Sequence, residues 1–260
     1  MAYENILLAT IASVATITVN RPKVLNALNH QTLTELAHAF DAVRDDAAVR
    51  ALVITGSGEK AFVAGADINE LAKMQAMEAK GKAFFGQQVF TRLERLGKPS
   101  IAMINGFALG GGLELALACT LRTASTTAKM GLPEVSLGII PGYGGTQRLA
   151  RIAGPGVARE WVLTGDMFSA EEAHRVGIVN RVFEPAALAQ GTQDLVNKLL
   201  SRSPIALALA LETIARGLNM SQQEGEVIES DMFGLASTTA DMHEGMAAFL
   251  EKRKPNVPGK

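Results

Sequence analysis

The sequence predicts an α/β protein, in which a strand–helix body over residues 1–200 carries an all-helical tail over residues 201–260. Short apolar runs of strand length alternate with stretches of helical spacing, an order typical of sheets with parallel strands. Beyond Ala186 the strand signals stop. A chain of 260 residues is also long for one domain and short for two, which fits one domain with an appendage.

The N-terminal part predicts a strand pair, a helix and a buried strand. Residues 4–9 and 14–19 are rich in β-branched side chains and form the predicted pair. Asn29 is a suitable N-cap for a helix to about residue 44, because apolar positions then recur at helical spacing. The apolar run 51–55 predicts a strand ended by glycine, and 61–69 predicts a strand end that enters a turn.

The middle of the chain alternates in the same way. A helical region reaches Leu96 and stops at Gly97-Lys98-Pro99, just before a predicted buried strand over 100–104. Residues 105–112 predict a glycine loop that leads directly into a helix over 113–118. The order is therefore strand, glycine loop, helix.

The last strands and the tail follow. Residues 121–125 are strand-like, and the glycine cluster 138–145 opens another helix. Ser169 and Glu172 have capping-box spacing for a short helix, and 178–182 predicts a short strand. The tail predicts three helices, over residues 203–216, 221–236 and 239–252.

Composition and charge exclude several classes of protein. The net charge of −1 gives no general electrostatic reason to bind nucleic acid or an anionic membrane, so neither partner is predicted. The apolar N-terminal stretch has no preceding Lys or Arg and predicts a hairpin rather than an export signal. The one cysteine, Cys119, has no internal disulfide partner and is expected to be buried. These features predict a cytoplasmic protein.

Common cofactor and nucleophile motifs are missing from the sequence. There is no G-x-x-x-x-G-K-[ST] phosphate loop, no G-x-G-x-x-G fingerprint and no G-x-S-x-G elbow. The four histidines are isolated and lack the spacing of metal ligands. The sequence therefore predicts no metal and no separate cofactor.

Three glycines, Gly110–Gly112, precede the predicted helix that contains Leu113. Glycine permits positive φ and lets a ligand approach the backbone without a Cβ clash. A helix N-terminus adds free N–H groups and a partial positive charge. Together these features predict a site for negative charge on oxygen. A tight strand-to-helix turn with close packing is an equally good interpretation of the glycines alone.

Two glutamates stand beside the glycine clusters, each in an apolar stretch. Glu114 lies in the first turn of a helix otherwise made of Leu and Ala, where a carboxylate is costly without partners. Glu134 follows Pro133 and precedes the second cluster. Their ordinary interpretations are a helix-dipole residue and a turn carboxylate. As a pair they predict a two-carboxylate site, although the sequence does not show that they meet.

These residues resemble the crotonase (enoyl-CoA hydratase/isomerase) superfamily and, within it, the enoyl-CoA hydratases. The resemblance covers nearly the whole chain. Each matching segment is moderately specific for the family, and their occurrence together in the same order is highly specific. The matching segments are Asn20–Leu28, Ala61–Ile68, Asn105–Glu114, Pro133–Val135 and Ile140–Leu149.

The resemblance implies a role for each site residue. Glu114 and Glu134 correspond to the two acids that hold and activate water. The N–H groups of Ala66 and Gly111 would form an oxyanion hole for the thioester carbonyl, and the N–H of Gly142 would help to hold the water. The implied acyl-CoA site consists of Lys23, Val24, Leu25, Ala64, Ala66, Asp67, Ile68 and Asn69.

The resemblance also implies the reaction, which is addition of water across the 2,3 double bond of a 2-enoyl-CoA in fatty-acid or related acyl-CoA catabolism. Glu134 would handle the proton at C2, and Glu114 would activate the water. The alternatives are a Δ3–Δ2 enoyl-CoA isomerase, another acyl-CoA hydratase, and a non-catalytic acyl-CoA-binding or RNA-binding homologue. Isomerases of this family commonly keep one of the two acids, so the presence of both favours a hydratase.

The implied fold is a crotonase-like ββα spiral core with a C-terminal helical trimerisation region, in homotrimers or hexamers built from two trimers. Residues 70–97 fall where the family varies and are expected to shape the acyl pocket. Leu132 stands where some hydratases have Gln. Four apolar side chains of the variable stretch are candidates either for pocket lining or for ordinary packing: Met74, Met77, Phe84 and Phe85.

Overall fold

The computed structural model describes residues 3–257 and 259, and its chain divides into two compact units. The first consists of the residues up to Leu96 together with Ser100–Gln193. The second consists of Gly97–Pro99 and the residues from Asp194 onward. This boundary lies a few residues before the predicted one at 200. That residues 1–200 form the catalytic core and residues 201–260 an oligomerisation region stays a prediction.

The strands of the described chain all belong to the first unit and form two sheets. The larger sheet has the order β1-β2-β3-β5-β7-β10, and the smaller has the order β4-β6-β8-β9. The strands are β1 (Ile6–Ile11), β2 (Val14–Val19), β3 (Ala51–Gly56), β4 (Ala61–Ala64), β5 (Ser100–Ile104), β6 (Phe107–Leu109), β7 (Leu121–Ser125), β8 (Lys129–Gly131), β9 (Phe168–Ser169) and β10 (Arg181–Phe183).

The helices alternate with these strands and then continue alone, as the sequence predicted. Short 3-10 helices lie at Pro22–Val24, Pro133–Leu137 and Pro185–Ala187. The α-helices are α1 (His30–Asp45), α2 (Ile68–Leu71), α3 (Ala76–Glu94), α4 (Gly111–Ala118), α5 (Gly145–Thr164), α6 (Ala170–Arg175), α7 (Leu188–Leu200), α8 (Pro204–Gly217), α9 (Gln222–Ala236) and α10 (Ala240–Leu250).

Strand pairing is mostly parallel, which confirms the α/β class. The strands β2, β3, β5, β7 and β10 pair in parallel, and so do β4, β6 and β8. The predicted N-terminal hairpin is present as the antiparallel pair β1–β2, and β9 pairs antiparallel with β8. Crossover helices link the parallel strands, because such strands need a long connection between them.

Local capping chemistry sets several helix boundaries. The side chain of Asn29 accepts a hydrogen bond from the N–H of Thr32 at 2.8 Å, so α1 begins where the sequence predicted. Ser169 and Ser203 cap α6 and α8 in the same way, through the N–H groups of Glu172 and Ala206. Cys119 is buried, as expected.

Several elements differ from those predicted. The stretch 105–112 contains a short strand, β6, and β8 was not predicted. Both strands have three residues, which is too few for an alternation to stand out in the sequence. The predicted strand 178–182 begins only at Arg181. The N–H groups of Ile178 and Val179 instead bond to the carbonyl oxygen of Ala173 and close the end of α6.

Within the first unit, the core lies between the sheets and the helices that cover them. All six residues of β3 are buried, and α1 packs against α3 while α4 packs against α5 and β6. The helix α4 is buried along its whole length, so a charged residue in it needs partners. In the part of the chain that the structure describes, none of the helices has the length and apolar character needed to cross a bilayer.

Candidate active site

The site is built on the turn from β6 into α4. Gly110 adopts φ 50°, and α4 begins at the next residue. This backbone region is one that glycine enters readily and side chains rarely adopt. A Cβ on Gly112 would lie 1.9 Å from the carbonyl oxygen of Val63, so this position also requires glycine. The glycines therefore bring the start of α4 close to β4.

Two free backbone donors lie next to each other at this turn. A Cβ built on Gly111 would stand 3.6 Å from the nitrogen of Ala66. Neither N–H is hydrogen-bonded to another group in residues 3–257 and 259. Leu28 fixes the loop that carries Ala66, because the N–H of Leu28 donates to Gly65 and its carbonyl oxygen accepts from Asp67, both at 2.9 Å. The predicted oxyanion pair is therefore brought together.

Glu114 lies in the first turn of α4 and is 1% exposed. Its Oε1 accepts hydrogen bonds from the N–H groups of Tyr143 at 2.8 Å and Gly145 at 2.7 Å. Gly145 begins α5, so the carboxylate of Glu114 faces the positive end of that helix. The costly burial of this carboxylate is thus offset by two backbone donors from the second glycine cluster.

Arg148 holds the turn that supplies these donors. Its Nη1 donates to the carbonyl oxygen of Tyr143 at 2.6 Å, and its guanidinium forms two hydrogen bonds to Glu94 at 2.7 and 2.9 Å. A Cβ on Gly144, which has φ 105°, would overlap the guanidinium. Arg148 was not among the site residues predicted from the sequence, although it lies within the matched segment that ends at Leu149.

Glu134 lies next to the turn at Gly110, where β6 leads into α4. It lies in the 3-10 helix Pro133–Leu137, and its Oε1 is 2.7 Å from the position of a Cβ on Gly110. Its Oε2 is buried and has no hydrogen-bond partner in the described part of the chain. An unpaired buried carboxylate oxygen is costly and is uncommon outside functional sites.

The two carboxyl groups have raised pKa values. Burial raises the pKa of Glu114 to about 7, and the negative charge of Glu134 adds to this shift, while the N–H donors and Arg148 oppose it. Burial also raises the pKa of Glu134 to about 7. The charge of one acid therefore acts on the other, and neutral pH lies where their protonation changes. The structure brings together the two acids that the sequence left apart.

Gly142, whose N–H is predicted to help hold the water, directly precedes Tyr143, which donates a hydrogen bond to Glu114. The carbonyl oxygen of Gly142 accepts from Nε2 of Gln87 in α3 at 2.8 Å. The N–H of Gly142 forms no hydrogen bond with any of the residues described. The geometry therefore leaves this donor available for the predicted role.

The predicted acyl-CoA segments also lie side by side. The N–H of Ala64 donates to the carbonyl oxygen of Leu25 at 3.0 Å, and Arg21 forms an ion pair with Asp67 at 3.1 Å. Asn69 donates to the carboxylate of Asp67. Four apolar or flexible members of the set are exposed: Lys23, Val24, Leu25 and Ile68. The segments thus form one surface next to the oxyanion pair.

The variable stretch contributes a cavity of about 620 Å³. Met74 and Phe85 line it, whereas Met77 and Phe84 are exposed, so only two of the four apolar candidates face this space. The cavity is also lined by an ion pair between Glu70 and the buried Lys82, which was not predicted from the sequence. The sequence pattern does not indicate that Glu70 and Lys82 pair, because the two side chains meet only in the folded chain.

Comparison with known proteins identifies the family. The model of the enoyl-CoA hydratase/isomerase family matches residues 9–260. The chain belongs to this family. It is 48% identical to a crotonyl-CoA hydratase of Syntrophomonas wolfei over the whole length of both chains. It is 45% identical to a short-chain-enoyl-CoA hydratase of Clostridium acetobutylicum, over 98% of this chain and 97% of that protein.

Solved structures agree with this assignment. An enoyl-CoA hydratase from Bacillus anthracis superimposes with a TM-score of 0.95 at 39% identity, covering 99% of this chain and 100% of that one. A second, from Geobacillus kaustophilus, has a TM-score of 0.95 at 43% identity, covering 99% of both. The predicted crotonase-like fold is therefore confirmed over nearly the whole chain.

The raised pKa of Glu114 predicts a specific dependence of stability on pH. An unfolded carboxyl titrates near 4.5, and the folded one near 7. Its stabilising contribution is therefore fully present below pH 4.5 and is lost as pH rises to about 7. For a shift of this size the loss is on the order of 3 kcal/mol. Urea unfolding at pH 5 and pH 8 should show a smaller pH difference for Glu114→Gln than for the unchanged protein. An identical difference would contradict the assignment.

Proposed function

We propose that this protein is an enoyl-CoA hydratase, which adds water across the 2,3 double bond of a 2-enoyl-CoA thioester to give a 3-hydroxyacyl-CoA. The observation that carries the proposal is the placement of the buried Glu114 and the half-buried Glu134 beside two free backbone N–H groups. The relatives named as crotonyl-CoA and short-chain-enoyl-CoA hydratases support it and make crotonyl-CoA the first substrate to assay.

The oxyanion pair accounts for activation of the double bond. Attack of water at C3 moves electrons through C2 towards the thioester oxygen, which gains negative charge. The N–H groups of Ala66 and Gly111 stabilise that oxygen, and the N-terminus of α4 adds its partial charge. Removing one donor of this kind typically costs about 10²–10³ in rate. Fixed backbone donors need no rearrangement as the charge develops.

The glutamate pair accounts for the two protons. Glu114 accepts a proton from the water whose oxygen bonds to C3, and Glu134 delivers a proton to C2. One carboxyl must therefore be ionised and the other protonated when the substrate binds. Raised pKa values near 7 for both carboxyls favour this singly protonated pair at neutral pH. A Δ3–Δ2 isomerase moves a proton along the chain and needs no second acid to activate water.

We also propose the substrate partner, the absence of a separate cofactor and the location of the enzyme. The substrate partner is an acyl-CoA thioester whose nucleotide end lies near Lys23 and Leu25. The reaction as written balances without a metal or a separate cofactor. We place the enzyme in the cytoplasm and expect neither nucleic acid nor membrane as a partner.

Replacing each glutamate tests the function. Glu114→Gln and Glu134→Gln keep the size of the side chain but remove its ability to exchange a proton. Each is expected to lower kcat for hydration of crotonyl-CoA by about 10²–10⁴, with a much smaller change in KM. The loss of enoyl-thioester absorbance measures the rate. Glu171→Gln, at an exposed position on α6, is the matched control and should leave the rate unchanged. Near-normal turnover of both folded site variants would refute the mechanism.

The second unit supports a further proposal, that the protein assembles as a homotrimer or a dimer of trimers. Among the described residues of this unit, eight large apolar side chains are more than half exposed: Ile214, Leu218, Val227, Phe233, Leu235, Met246, Phe249 and Leu250. Exposed apolar surface of this kind is typical of subunit interfaces. Light scattering of the unchanged protein should give a trimer or hexamer mass, and Phe233→Glu should lower it. A monomeric mass for the unchanged protein would contradict the proposal.

A further inference from the structure

Tyr143 is a buried residue whose side chain the mechanism does not use. The residue is 5% exposed, and its hydroxyl is buried without a hydrogen-bond partner in the described chain. Only its backbone N–H serves the site, as one of the two donors to Glu114. A buried tyrosine hydroxyl usually finds a partner, so an orphaned one calls for an explanation.

The ring of Tyr143 borders the reaction centre on one side. Its Cδ2 and Cε2 lie 3.2 Å from the position of a Cβ on Gly111, on the side where the nitrogen of Ala66 also lies. The ring is therefore adjacent to the place where the thioester oxygen binds. An enoyl group that reached from these donors to Glu114 would pass the ring, because Glu114 accepts from the N–H of Tyr143 and its charge acts on the phenol.

On its other side the ring is packed directly on the backbone of α3. A Cβ on Gly86 would lie 2.2–2.8 Å from three ring carbons, so nothing larger than glycine fits beneath the ring. Phe90, one turn further along α3, holds the ring edge-on with centroids 5.7 Å apart at 84°. The ring is thus fixed in place and leaves no passage between itself and α3.

The cavity of 620 Å³ lies on the α3 side of this ring. Phe85, next to Gly86, lines the cavity together with Lys82 and Glu70. The charge of Glu70 contributes, after burial and Glu114, to the raised pKa of Tyr143, so the phenol lies within reach of both carboxylates. Tyr143 therefore lies close both to the oxyanion pair and to Glu70, a residue that lines the cavity.

We infer that Tyr143 sets the acyl-chain length by closing the acyl end of the site, so that the enzyme accepts short 2-enoyl thioesters and excludes longer ones. This inference rests on the proposed hydratase function. The fixed ring blocks the path of carbons beyond about C4 to C5. The hydroxyl adds to the volume that the ring occupies, so a smaller side chain at position 143 leaves room for further carbons.

The test compares kcat/KM for the C4 and C8 trans-2-enoyl-CoA thioesters. The unchanged enzyme should prefer C4 by at least about tenfold, since each methylene that a pocket rejects is worth roughly 10–200-fold. Tyr143→Ala should raise the C8-to-C4 ratio by about 10–100-fold by opening the cavity. Tyr143→Phe, which removes only the hydroxyl, should raise it a few-fold. The gain should appear mainly as a lower KM for the C8 substrate.

Tyr3→Phe is the matched control. Tyr3 is the other tyrosine of the chain, is also partly buried, and lies in the N-terminal segment before β1. It should leave the ratio unchanged. If Tyr143→Ala does not fold, as judged by its thermal unfolding, Tyr143→Leu replaces it and should raise the ratio in the same direction.

The outcomes separate this inference from the function on which it rests. Equal kcat/KM for C4 and C8 in the unchanged enzyme, or an unchanged ratio in folded Tyr143→Ala and Tyr143→Phe, would overturn the role of Tyr143 while hydratase activity stands. Absence of hydration of either substrate by the unchanged enzyme would overturn the proposed function and the inference with it.

Discussion

The turn at Gly110 and Gly111 is the constraint on which the rest of the site depends. Positive φ at Gly110 lets the chain pass from β6 into α4 within one residue. The first N–H of the helix is then left free beside Ala66, and Glu114 falls in the buried first turn. Glu134 reaches over the same glycine, in space that any side chain at position 110 would fill. One turn without side chains therefore sets the positions of three chemical groups.

This arrangement buries the carboxyl group of Glu114, and burial changes how readily that group ionises. A carboxylate inside a helix of Leu and Ala is unfavourable unless other groups stabilise it. Here Tyr143 and Gly145 provide two N–H donors, and Arg148 holds their turn in place. The stabilisation is partial, because the pKa of Glu114 remains raised. A carboxyl that is held in position but not strongly ionised is suited to exchanging protons near neutral pH.

The sequence predicted those parts of the molecule that depend on local chemistry. The cap at Asn29, the β1–β2 hairpin and the glycine turn have signals within a few residues, and the structure contains each of them. The meeting of Glu114 with Glu134 depends on the pairing of β6 with β8, two strands too short to recognise. The side-chain surroundings of Tyr143 come from α3, far away in the chain, so its position was not predictable. Arg148 and the Glu70–Lys82 pair were missed for the same reason.

In the proposed mechanism the backbone N–H of Gly111 stabilises the reacting oxygen. A comparison of two variants at this position tests that role most directly. Gly111→Pro deletes this donor at the first helical position, where proline is well tolerated. Gly111→Ala keeps the donor and adds the same Cβ near Tyr143. With both proteins folded, kcat for hydration of crotonyl-CoA should be about 10²–10³ lower for the proline variant than for the alanine variant. Equal rates for the two variants would contradict the account.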